Sequence, residues 1–288
     1  MTTPTWFITG ASSGFGLAFT QYALARGYNV VATARNLAKL EQIEAPSSSQ
    51  MLIHKLDVTA AGDAERAVAS ALKRFGRVDV LINNAGYGIV GALEETSDSE
   101  LRAQMETNFF GAINVTKAVL PTMRTQRAGA IVNISSLGGQ LSFGGFSAYS
   151  ASKFALEGMS EALAAELAAF GIKVMIVEPG AFRTGFASDA MRHMPMMDAY
   201  RDVIGGTRDF AHGMNGTQEG DPAKAALAID TALRSNRTPL RLQLGTDAVS
   251  SIRAHAEQLL KDLGDWEPVA NATRVDATAA SGSIKPQI

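Results

Sequence analysis

A tyrosine and a lysine four residues apart form the pair in this sequence best suited to proton transfer. Tyr149 and Lys153 lie in the run Tyr-Ser-Ala-Ser-Lys, and that spacing places both side chains on one face of a helix. A free tyrosine has a pKa of about 10, and a cation within about 4 to 6 Å lowers it by favouring the phenolate. The pattern alone also fits a half-buried tyrosine beside a solvated lysine, so its interpretation depends on the rest of the chain.

Two adjacent serines precede the tyrosine and could assist it. Ser135 and Ser136 follow the largely apolar, strand-like run 130–134. A hydroxyl beside a phenol can hydrogen-bond the oxygen of a carbonyl group that is being protonated. Because side chains alternate along a strand, only one of the two serines can face such a site.

A glycine-rich loop near the N-terminus predicts a phosphate-binding turn. It follows the apolar run 6–8 and precedes the helical segment 17–26, and glycines there let backbone N–H groups approach a pyrophosphate. An ordinary turn between strand and helix is the alternative. A literal G-x-G-x-x-G at 86–91 lacks a helix directly behind it, so we do not assign it this role. The residues assigned to the loop are Gly10, Ser12, Ser13, Gly14, Phe15 and Gly16.

Strand and helix patterns alternate along most of the chain, which predicts one doubly wound α/β domain with a parallel seven-stranded sheet and helices on both faces. The predicted strands are 5–9, 28–34, 51–57, 78–82, 130–135, 173–178 and 240–244. Helical spacing marks 63–75, 99–123, 148–170 and 222–234. The segment 185–220 breaks the alternation, and a helical stretch 248–263 precedes a polar tail, 271–288, which we expect to be disordered.

Composition narrows the classes of function. The chain has 288 residues, 46% of them hydrophobic, and a formal charge of −2, so we expect a buried core and neither a nucleic-acid nor a membrane surface. It has no cysteine, and its four histidines are scattered, so we expect no metal site. A strand starts within about five residues of the N-terminus and no apolar run reaches about 18 residues, which favours a cytoplasmic protein.

Two further motifs complete a pattern. Asn83-Asn84-Ala85-Gly86 follows the fourth predicted strand, and Pro179-Gly180-Ala181-Phe182-Arg183-Thr184 follows the sixth. Together with the glycine loop and the Ser/Tyr/Lys set, they resemble the short-chain dehydrogenase/reductase family from about residue 5 to about residue 245. The resemblance implies a Rossmann-type domain over 1–245, including a substrate segment at 185–220, followed by a helical extension and polar tail over 246–288.

The resemblance also implies roles for individual residues. Tyr149 is the expected acid and base, Ser136 is preferred over Ser135 because thirteen residues is the family's usual spacing to the tyrosine, and Lys153 is expected to bind ribose and lower the phenol's pKa. Asn108 matches an asparagine that holds a relay water; a buried asparagine bonded to backbone is the alternative. Beyond the glycine loop and Arg35, the expected cofactor contacts are Asp57, Val58, Asn84, Ala85, Gly86, Tyr149, Lys153, Pro179, Gly180 and Thr184.

The end of the second strand bears on which nicotinamide cofactor is used. A carboxylate there would hold the adenosine ribose of NAD and repel the 2′-phosphate of NADP. This chain has Ala34 followed by Arg35, which removes the repulsion and supplies a donor fork for phosphate. The sequence therefore favours NADP(H); an exposed arginine at a strand end is the alternative.

The expected substrate surroundings are apolar and partly aromatic. They comprise Ser136, Leu137, Leu141, Phe143, Phe146, Phe182 and Phe186. The methionine-rich segment 185–220 suits an adaptable lid, and Arg183 is the one nearby cation in the sequence. We expect a bulky, uncharged ketone, aldehyde or alcohol, and the chain resembles the steroid and retinol dehydrogenase branch of the family.

Other functions stay open. The same fold could serve an NAD-linked alcohol dehydrogenase or a non-catalytic NADP-binding sensor, although an intact Ser136, Tyr149 and Lys153 set argues against a sensor. A sugar-nucleotide epimerase is disfavoured by the glycine spacing. By analogy with the family we expect a homodimer or homotetramer that pairs through the helices of Asn108 and Tyr149, with small residues allowing close packing.

Overall fold

The computed structural model describes residues 3–275, which form an α/β fold around a parallel sheet. The strands are β1 (Thr5–Thr9), β2 (Asn29–Ala34), β3 (Met51–Lys55), β4 (Val80–Asn83), β5 (Gly88–Val90), β6 (Gly129–Ile134), β7 (Ile172–Pro179), β8 (Met191–His193) and β9 (Arg241–Leu244). Seven of them make the main sheet in the order β3-β2-β1-β4-β6-β7-β9, with every neighbouring pair parallel. The predicted seven-stranded, doubly wound sheet is confirmed.

Helices cover both faces of this sheet. They are α1 (Gly14–Ala25), α2 (Leu37–Leu40), α3 (Asp63–Phe75), α4 (Asp98–Met105), α5 (Gly111–Gln126), α6 (Ser147–Ala168), α7 (Phe186–Asp189), α8 (Arg201–Gly213), α9 (Pro222–Arg234) and α10 (Thr246–Asn271). Alternation along β1 shows the two layers: Trp6 and Ile8 pack with α1 and α9, whereas Phe7 packs with α3, α5 and α6. Because both faces are buried, the strands are nearly continuous apolar runs.

The sheet order reverses between β1 and β4, which are neighbours although they are far apart in sequence. Helices leave opposite faces of the sheet on the two sides of this point, and a crevice forms at the carboxyl ends of the strands. The glycine loop follows β1, and the turn at 84–87 follows β4. The topology therefore brings these two motifs to the same crevice.

Three elements differ from the sequence prediction. The predicted helix 99–123 is α4 and α5 joined by a π-helical segment, Glu106–Phe110. The segment 185–220 contains α7, β8, a 3-10 turn (Asp198–Tyr200) and α8, and β8 pairs with β5 in a second, two-stranded sheet. The final helix, α10, continues well past the predicted end at residue 263.

The C-terminal prediction is tested only in part. Ala248 is the buried residue of α10, and the rest of that helix is largely exposed. Of the predicted polar tail, residues 276–288 lie outside the described residues. Within residues 3–275, no helix is both long enough and apolar enough to cross a membrane.

Candidate active site

The glycine loop forms a tight turn that has no room for side chains at two positions. Gly10 has a φ of +65°, and a Cβ there would lie 3.0 Å from the Ala85 Cα. A Cβ on Gly16 would overlap the Gly10 carbonyl oxygen, so α1 begins directly against the end of β1. Ser13 stands at the N-cap in an extended conformation and makes no side-chain capping hydrogen bond. The first-turn N–H groups of α1 therefore face the crevice as donors for an anion.

The turn after β4 is locked to β1 by hydrogen bonds. The Thr9 hydroxyl accepts from the backbone N–H groups of Asn84 and Ala85, each at 3.0 Å. In return, the Asn84 side-chain amide donates to the carbonyls of Thr9 (2.9 Å) and Gly10 (3.2 Å). The sequence assigns Asn84 to cofactor contact; the structure instead commits its amide donors to holding the glycine loop.

The ends of β2 and β3 lie on one side of this loop. Arg35 is exposed just after β2, and Asp57 lies after β3 with its carboxylate accepting from the Thr59 N–H (3.0 Å) and hydroxyl (2.7 Å). Burial raises the pKa of Asp57, but the Thr59 hydrogen bonds and the charges of Arg35 and Lys55 outweigh it and hold the pKa below its usual value. Val58 is buried beside Asp57, against the backbone of α5.

A cavity of about 640 Å³ opens beside the glycine loop, and no sequence pattern indicates it. Ser12 lines it on the loop side and Lys39, on α2, lines it on the other, with Glu44 also in its wall. Lys39 follows Arg35 by four residues in the chain and lies on α2. The cavity thus has a lysine and a hydroxyl close to the predicted adenosine side of the crevice.

Ser136, Tyr149 and Lys153 come together at the carboxyl end of β6. The Ser136 hydroxyl lies beside the Tyr149 phenol, and it accepts from the Gly138 N–H at 3.0 Å. The neighbouring Ser135 points the other way and donates to a Glu157 carboxylate oxygen at 2.5 Å. Strand alternation allows only one of the two serines to face the site, and in the structure Ser136 is the one beside Tyr149.

The Tyr149 phenol is in its protonated form at neutral pH. Burial raises its pKa to about 12, with the nearby Ser136 hydroxyl acting in the opposite direction. The sequence predicts that Lys153 lowers this pKa; here Lys153 Nζ is 5.8 Å from the centre of the phenol ring. Burial is the dominant effect at Tyr149, so its pKa is raised overall.

Lys153 is buried and is held by the end of β6. Its Nζ donates to the Ile134 carbonyl at 2.8 Å, and the residue is 6% exposed. Burial lowers its pKa to about 8, while the nearby Glu157 carboxylate raises it. The ammonium is therefore held in a setting where loss of its proton is easy for a lysine.

Asn108 lies in the π-helical segment and bridges two parts of the site. Its side-chain oxygen accepts from the Tyr87 N–H (3.1 Å), and its amide donates to the Tyr87 carbonyl (2.9 Å) and the Ser152 hydroxyl (3.0 Å). A Cβ on Gly86 would lie 3.0 Å from that oxygen and 3.8 Å from Lys153 Nζ. Asn108 thus fixes the turn after β4 against α6, close to Lys153.

The turn after β7 faces the glycine loop from across the crevice. A Cβ on Gly14 would lie 3.4 Å from Thr184 Cβ, so the two segments nearly touch. Pro179 ends β7, and the Gly180 N–H donates to the Leu244 carbonyl at 2.9 Å. Asp247, at the start of α10, accepts from the Ala181 N–H at 2.6 Å and leaves no space for a side chain on Gly180. Sequence reasoning missed Asp247 because nothing in its local pattern indicates this long-range contact.

Aromatic rings surround the Tyr149 phenol on its open side. The Phe186 ring centre lies 5.9 Å from that of Tyr149, and the Phe146 ring centre lies 6.3 Å from it. Phe143 is exposed, and Leu137 and Leu141 are partly buried. Phe182, which the sequence assigns to the substrate, instead packs in the core with its ring centre 5.0 Å from that of Phe15, so we remove it from the predicted pocket.

A buried ion pair fastens the segment 185–220 to the body of the protein. Arg208, on α8, contacts the Glu95 carboxylate at 2.6 Å and donates to the Met194 carbonyl at 2.8 Å. The same carboxylate accepts from the N–H groups of Ala92 (2.7 Å) and Met197 (2.8 Å). Those hydrogen bonds and the arginine lower the pKa of Glu95 against the effect of burial. Of the predicted lid methionines, Met194 is therefore a core anchor.

Comparison with known proteins gives a consistent result. A family model described as short chain dehydrogenase matches residues 4–194. An oxidoreductase of Botryotinia fuckeliana is 38% identical over 272 residues, covering 94% of this chain and 99% of the relative. A 3-ketodihydrosphingosine reductase of Bacteroides thetaiotaomicron is 49% identical over 186 residues, which are 63% of this chain and 65% of that protein.

Solved structures extend the match to the whole fold. A short-chain dehydrogenase from Streptomyces avermitilis superimposes with a TM-score of 0.90 and 48% identity, covering 96% of this chain and 100% of that one. More distant structures of the same fold contain NADP in one case (26% identity, TM-score 0.71) and NAD in another (22%, 0.76), so the fold accepts either nicotinamide cofactor. This chain belongs to the short-chain dehydrogenase/reductase family of oxidoreductases.

Proposed function

We propose that this protein is an NADP(H)-dependent oxidoreductase that interconverts a bulky hydrophobic ketone or aldehyde and its alcohol. The observation that carries the proposal is the cluster at the end of β6, where the Ser136 hydroxyl meets the Tyr149 phenol and Lys153 lies one turn further along the same helix. A binding protein without chemistry has no need of a buried lysine beside a protonated tyrosine, since burying a cation is costly.

The residues of the crevice fit a dinucleotide. Gly10 and Gly16 leave a cradle that a Cβ would fill, and α1 presents its N-terminal N–H groups there. On this proposal the glycine loop holds the pyrophosphate, and Thr184 with the turn at 179–181 holds the nicotinamide end. The bound cofactor supplies the hydride for reduction.

The proton in this reaction comes from the chain itself. Tyr149 holds its proton at neutral pH because its pKa is raised to about 12, so it can donate to a carbonyl oxygen as that oxygen gains negative charge. Ser136 hydrogen-bonds the same oxygen, and Lys153 stabilises the phenolate that remains. For oxidation of an alcohol the phenolate is required, and Tyr149 must first lose its proton.

The preference for NADP(H) rests on charge. Arg35 is exposed after β2 with the small residue Ala34 before it, and Lys39 and Ser12 line the adjoining cavity. Two cations and a hydroxyl suit the dianionic 2′-phosphate of NADP, whereas NAD carries only a neutral hydroxyl there. We propose Lys39 as a second phosphate contact.

The substrate class rests on the rings beside Tyr149. Phe146 and Phe186 flank the phenol, and Phe143 extends the apolar surface outward. A large uncharged carbonyl compound suits such surroundings. The relative named as a reductase of 3-ketodihydrosphingosine, a long-chain ketone, supports this class without fixing the substrate.

The test follows nicotinamide absorbance with a panel of hydrophobic ketones and aldehydes, with NADPH and NADH in parallel. We expect turnover that is faster with NADPH and that Tyr149→Phe reduces about 100-fold or more. Tyr22→Phe is the matched control, since that phenol bonds Asp230 on α9, away from the crevice. Tight NADPH binding with no turnover across the panel would favour a sensor, and faster turnover with NADH would favour an NAD-linked dehydrogenase.

A further inference from the structure

A buried carboxylate lies directly behind the proposed catalytic residues. Glu157 is on α6, one turn beyond Lys153, and is 2% exposed. Its oxygen Oε1 accepts from the Ser135 hydroxyl at 2.5 Å, and Oε2 accepts from the Gln140 side-chain amide. Ser135 and Gln140 are the two ends of the segment 135–140, which we call the serine segment because Ser136 lies within it.

The backbone of the serine segment lies directly against the Glu157 carboxylate. Between its ends, a 3-10 turn (Leu137–Gly139) follows Ser136. A side chain on Gly139 would overlap Glu157 Oε1, so the backbone passes directly over the carboxylate. Glu157 therefore fastens both ends of the segment that carries Ser136 to α6.

Glu157 also sets the electrostatic surroundings of Lys153. Both residues are buried on the same face of α6, and the carboxylate favours the charged form of the lysine against the effect of burial. The other charged groups around Glu157 are Glu178 on β7, Arg241 on β9 and Glu161 on α6. Arg241 Nε lies 3.4 Å from Glu157 and 3.1 Å from Glu178.

Glu178 on β7 has an altered pKa in this group of carboxylates. Glu178 is fully buried, and burial together with the Glu157 charge raises its pKa. Its Oε2 accepts from the Gln243 amide at 2.5 Å. Burial and the neighbouring negative charge thus favour the protonated form of Glu178 beyond the usual pH range of a glutamate.

We infer that Glu157 is a positioning residue for the reaction, holding the serine segment against α6 and placing a negative charge one turn from Lys153. This inference rests on the proposed function for its catalytic consequence, but the pairing of Glu157 with Lys153 can be measured without turnover.

The test uses Glu157→Gln, which keeps the size of the side chain. The variant side chain is neutral. Its amide nitrogen, which cannot accept a hydrogen bond, takes the place of Glu157 Oε2, which now accepts from the Gln140 amide. We expect kcat to fall about 10-fold or more while the Kd for NADPH stays within about 2-fold of wild type, and we expect the alkaline fall in kcat/KM to begin about one pH unit lower. Unchanged kcat in a folded variant would overturn the inference.

Two other variants separate position from charge. Ser135→Ala removes one bond to the serine segment and keeps the Glu157 charge, so kcat should fall with no change in the alkaline limb. Glu161→Gln lies one turn further along the exposed side of α6 and bonds Arg241 rather than the serine segment, so it should match wild type. Equal losses in Glu157→Gln and Glu161→Gln would overturn the inference.

Chemical modification of Lys153 gives a readout that does not depend on activity. The rate of acetylation of Lys153 by acetic anhydride, followed by mass spectrometry over a range of pH, reports where that lysine loses its proton. We expect this point to lie about one pH unit lower in Glu157→Gln than in wild type. If wild type turns over nothing, the proposed function fails while this shift still supports the pairing of Glu157 with Lys153; the absence of a shift overturns it.

Discussion

Lys153 illustrates how a functional residue can oppose the stability of the fold that holds it. Its ammonium is nearly fully buried and donates to the Ile134 carbonyl, and burial lowers its pKa from 10.5 to about 8. Below that pH the folded protein must hold a charge in a poorly solvated place. The arrangement makes sense where the charge serves a reaction rather than the stability of the protein.

This residue gives a prediction about stability and pH. Between pH 8 and 10.5 the unfolded chain keeps the Lys153 proton and the folded chain loses it, so the unfolded state binds more protons and stability rises with pH. The gain is on the order of 3 kcal/mol over that range. In Lys153→Met the gain is absent, so urea unfolding from pH 7.5 to 9.5 should show wild type becoming more stable relative to the variant. Lys173→Met, at an exposed lysine, is the control; if the curves of wild type and Lys153→Met stay parallel, the lysine is already neutral or is solvated.

Arg35 gives a prediction about the cofactor. Replacing it by alanine removes an exposed guanidinium from the end of β2, and the loss of a hydrogen bond to a charged phosphate is about 1.5 to 3 kcal/mol. We expect Arg35→Ala to lower kcat/KM for NADPH about 10- to 100-fold and to leave the value for NADH nearly unchanged. Arg253→Ala, at an exposed arginine on α10, serves as the control. Equal losses with both cofactors would contradict a phosphate contact.

The segment between β8 and α8 gives a prediction at the level of elements. Glu95 is buried, and Arg208 on α8 neutralises it; removing one partner of a buried pair costs about 3 to 5 kcal/mol because the other charge is left unpaired. We therefore expect Arg208→Met to release this segment locally, which speeds proteolytic cleavage within 194–213 and raises KM for the carbonyl substrate. Limited proteolysis with mass spectrometry measures the cleavage.

A matched variant lies on the same helix. Arg201 pairs with the exposed Asp198 at 2.6 Å, and exposed pairs contribute less than about 1 kcal/mol. Arg201→Met should therefore be cleaved at the rate of wild type. If Arg208→Met is also cleaved at that rate, the ion pair is not what fastens the segment.

The secondary-structure elements also show which features sequence patterns predict and which they do not. Regular alternation predicts the seven strands of the main sheet. The motifs single out Ser136, Tyr149 and Lys153, which lie together at the carboxyl end of β6 in the structure. A 3.6-residue period does not reveal the π-helical segment at Asn108, because a segment of five residues is too short to show a period of its own. The pairing of β5 with β8 joins residues about a hundred positions apart, and no local pattern encodes such a register.

Side-chain contacts between distant elements are the other feature that the sequence does not predict. Phe182 was assigned to the substrate because it is aromatic and close to the motif in sequence, yet it fills the core beside Phe15. Glu157 and Asp247 look like ordinary helix-surface acids, and only the fold shows that each holds a loop of the site. Residue type and spacing identify chemistry, whereas the support of that chemistry depends on contacts between distant segments.

At the scale of the whole molecule, two exposed apolar surfaces are candidate interfaces for self-association. One lies on the helices of Asn108 and Tyr149, where Phe110 is 45% exposed and Phe154 47% exposed, and a Cβ on Gly158 would meet nothing within 4 Å. The other lies along α10, where Leu260 is 69% exposed. The first combines aromatic rings with a backbone that a second helix can approach closely, which favours it as the interface of a homodimer.

Light scattering of single variants distinguishes the two surfaces. Phe154 is exposed in the protomer, so Phe154→Glu should leave the fold intact while placing a charge in the centre of an apolar contact, where an unpaired carboxylate is costly. We expect wild type to run at the mass of a dimer or tetramer and Phe154→Glu to lose at least one level of assembly. Leu260→Glu, on α10, should keep the wild-type mass. The reverse result, with dissociation by Leu260→Glu alone, would move the interface to α10 and leave the outer face of α6 in solvent, where Gly158→Ala should then simply stabilise the helix by about 0.5 to 1 kcal/mol.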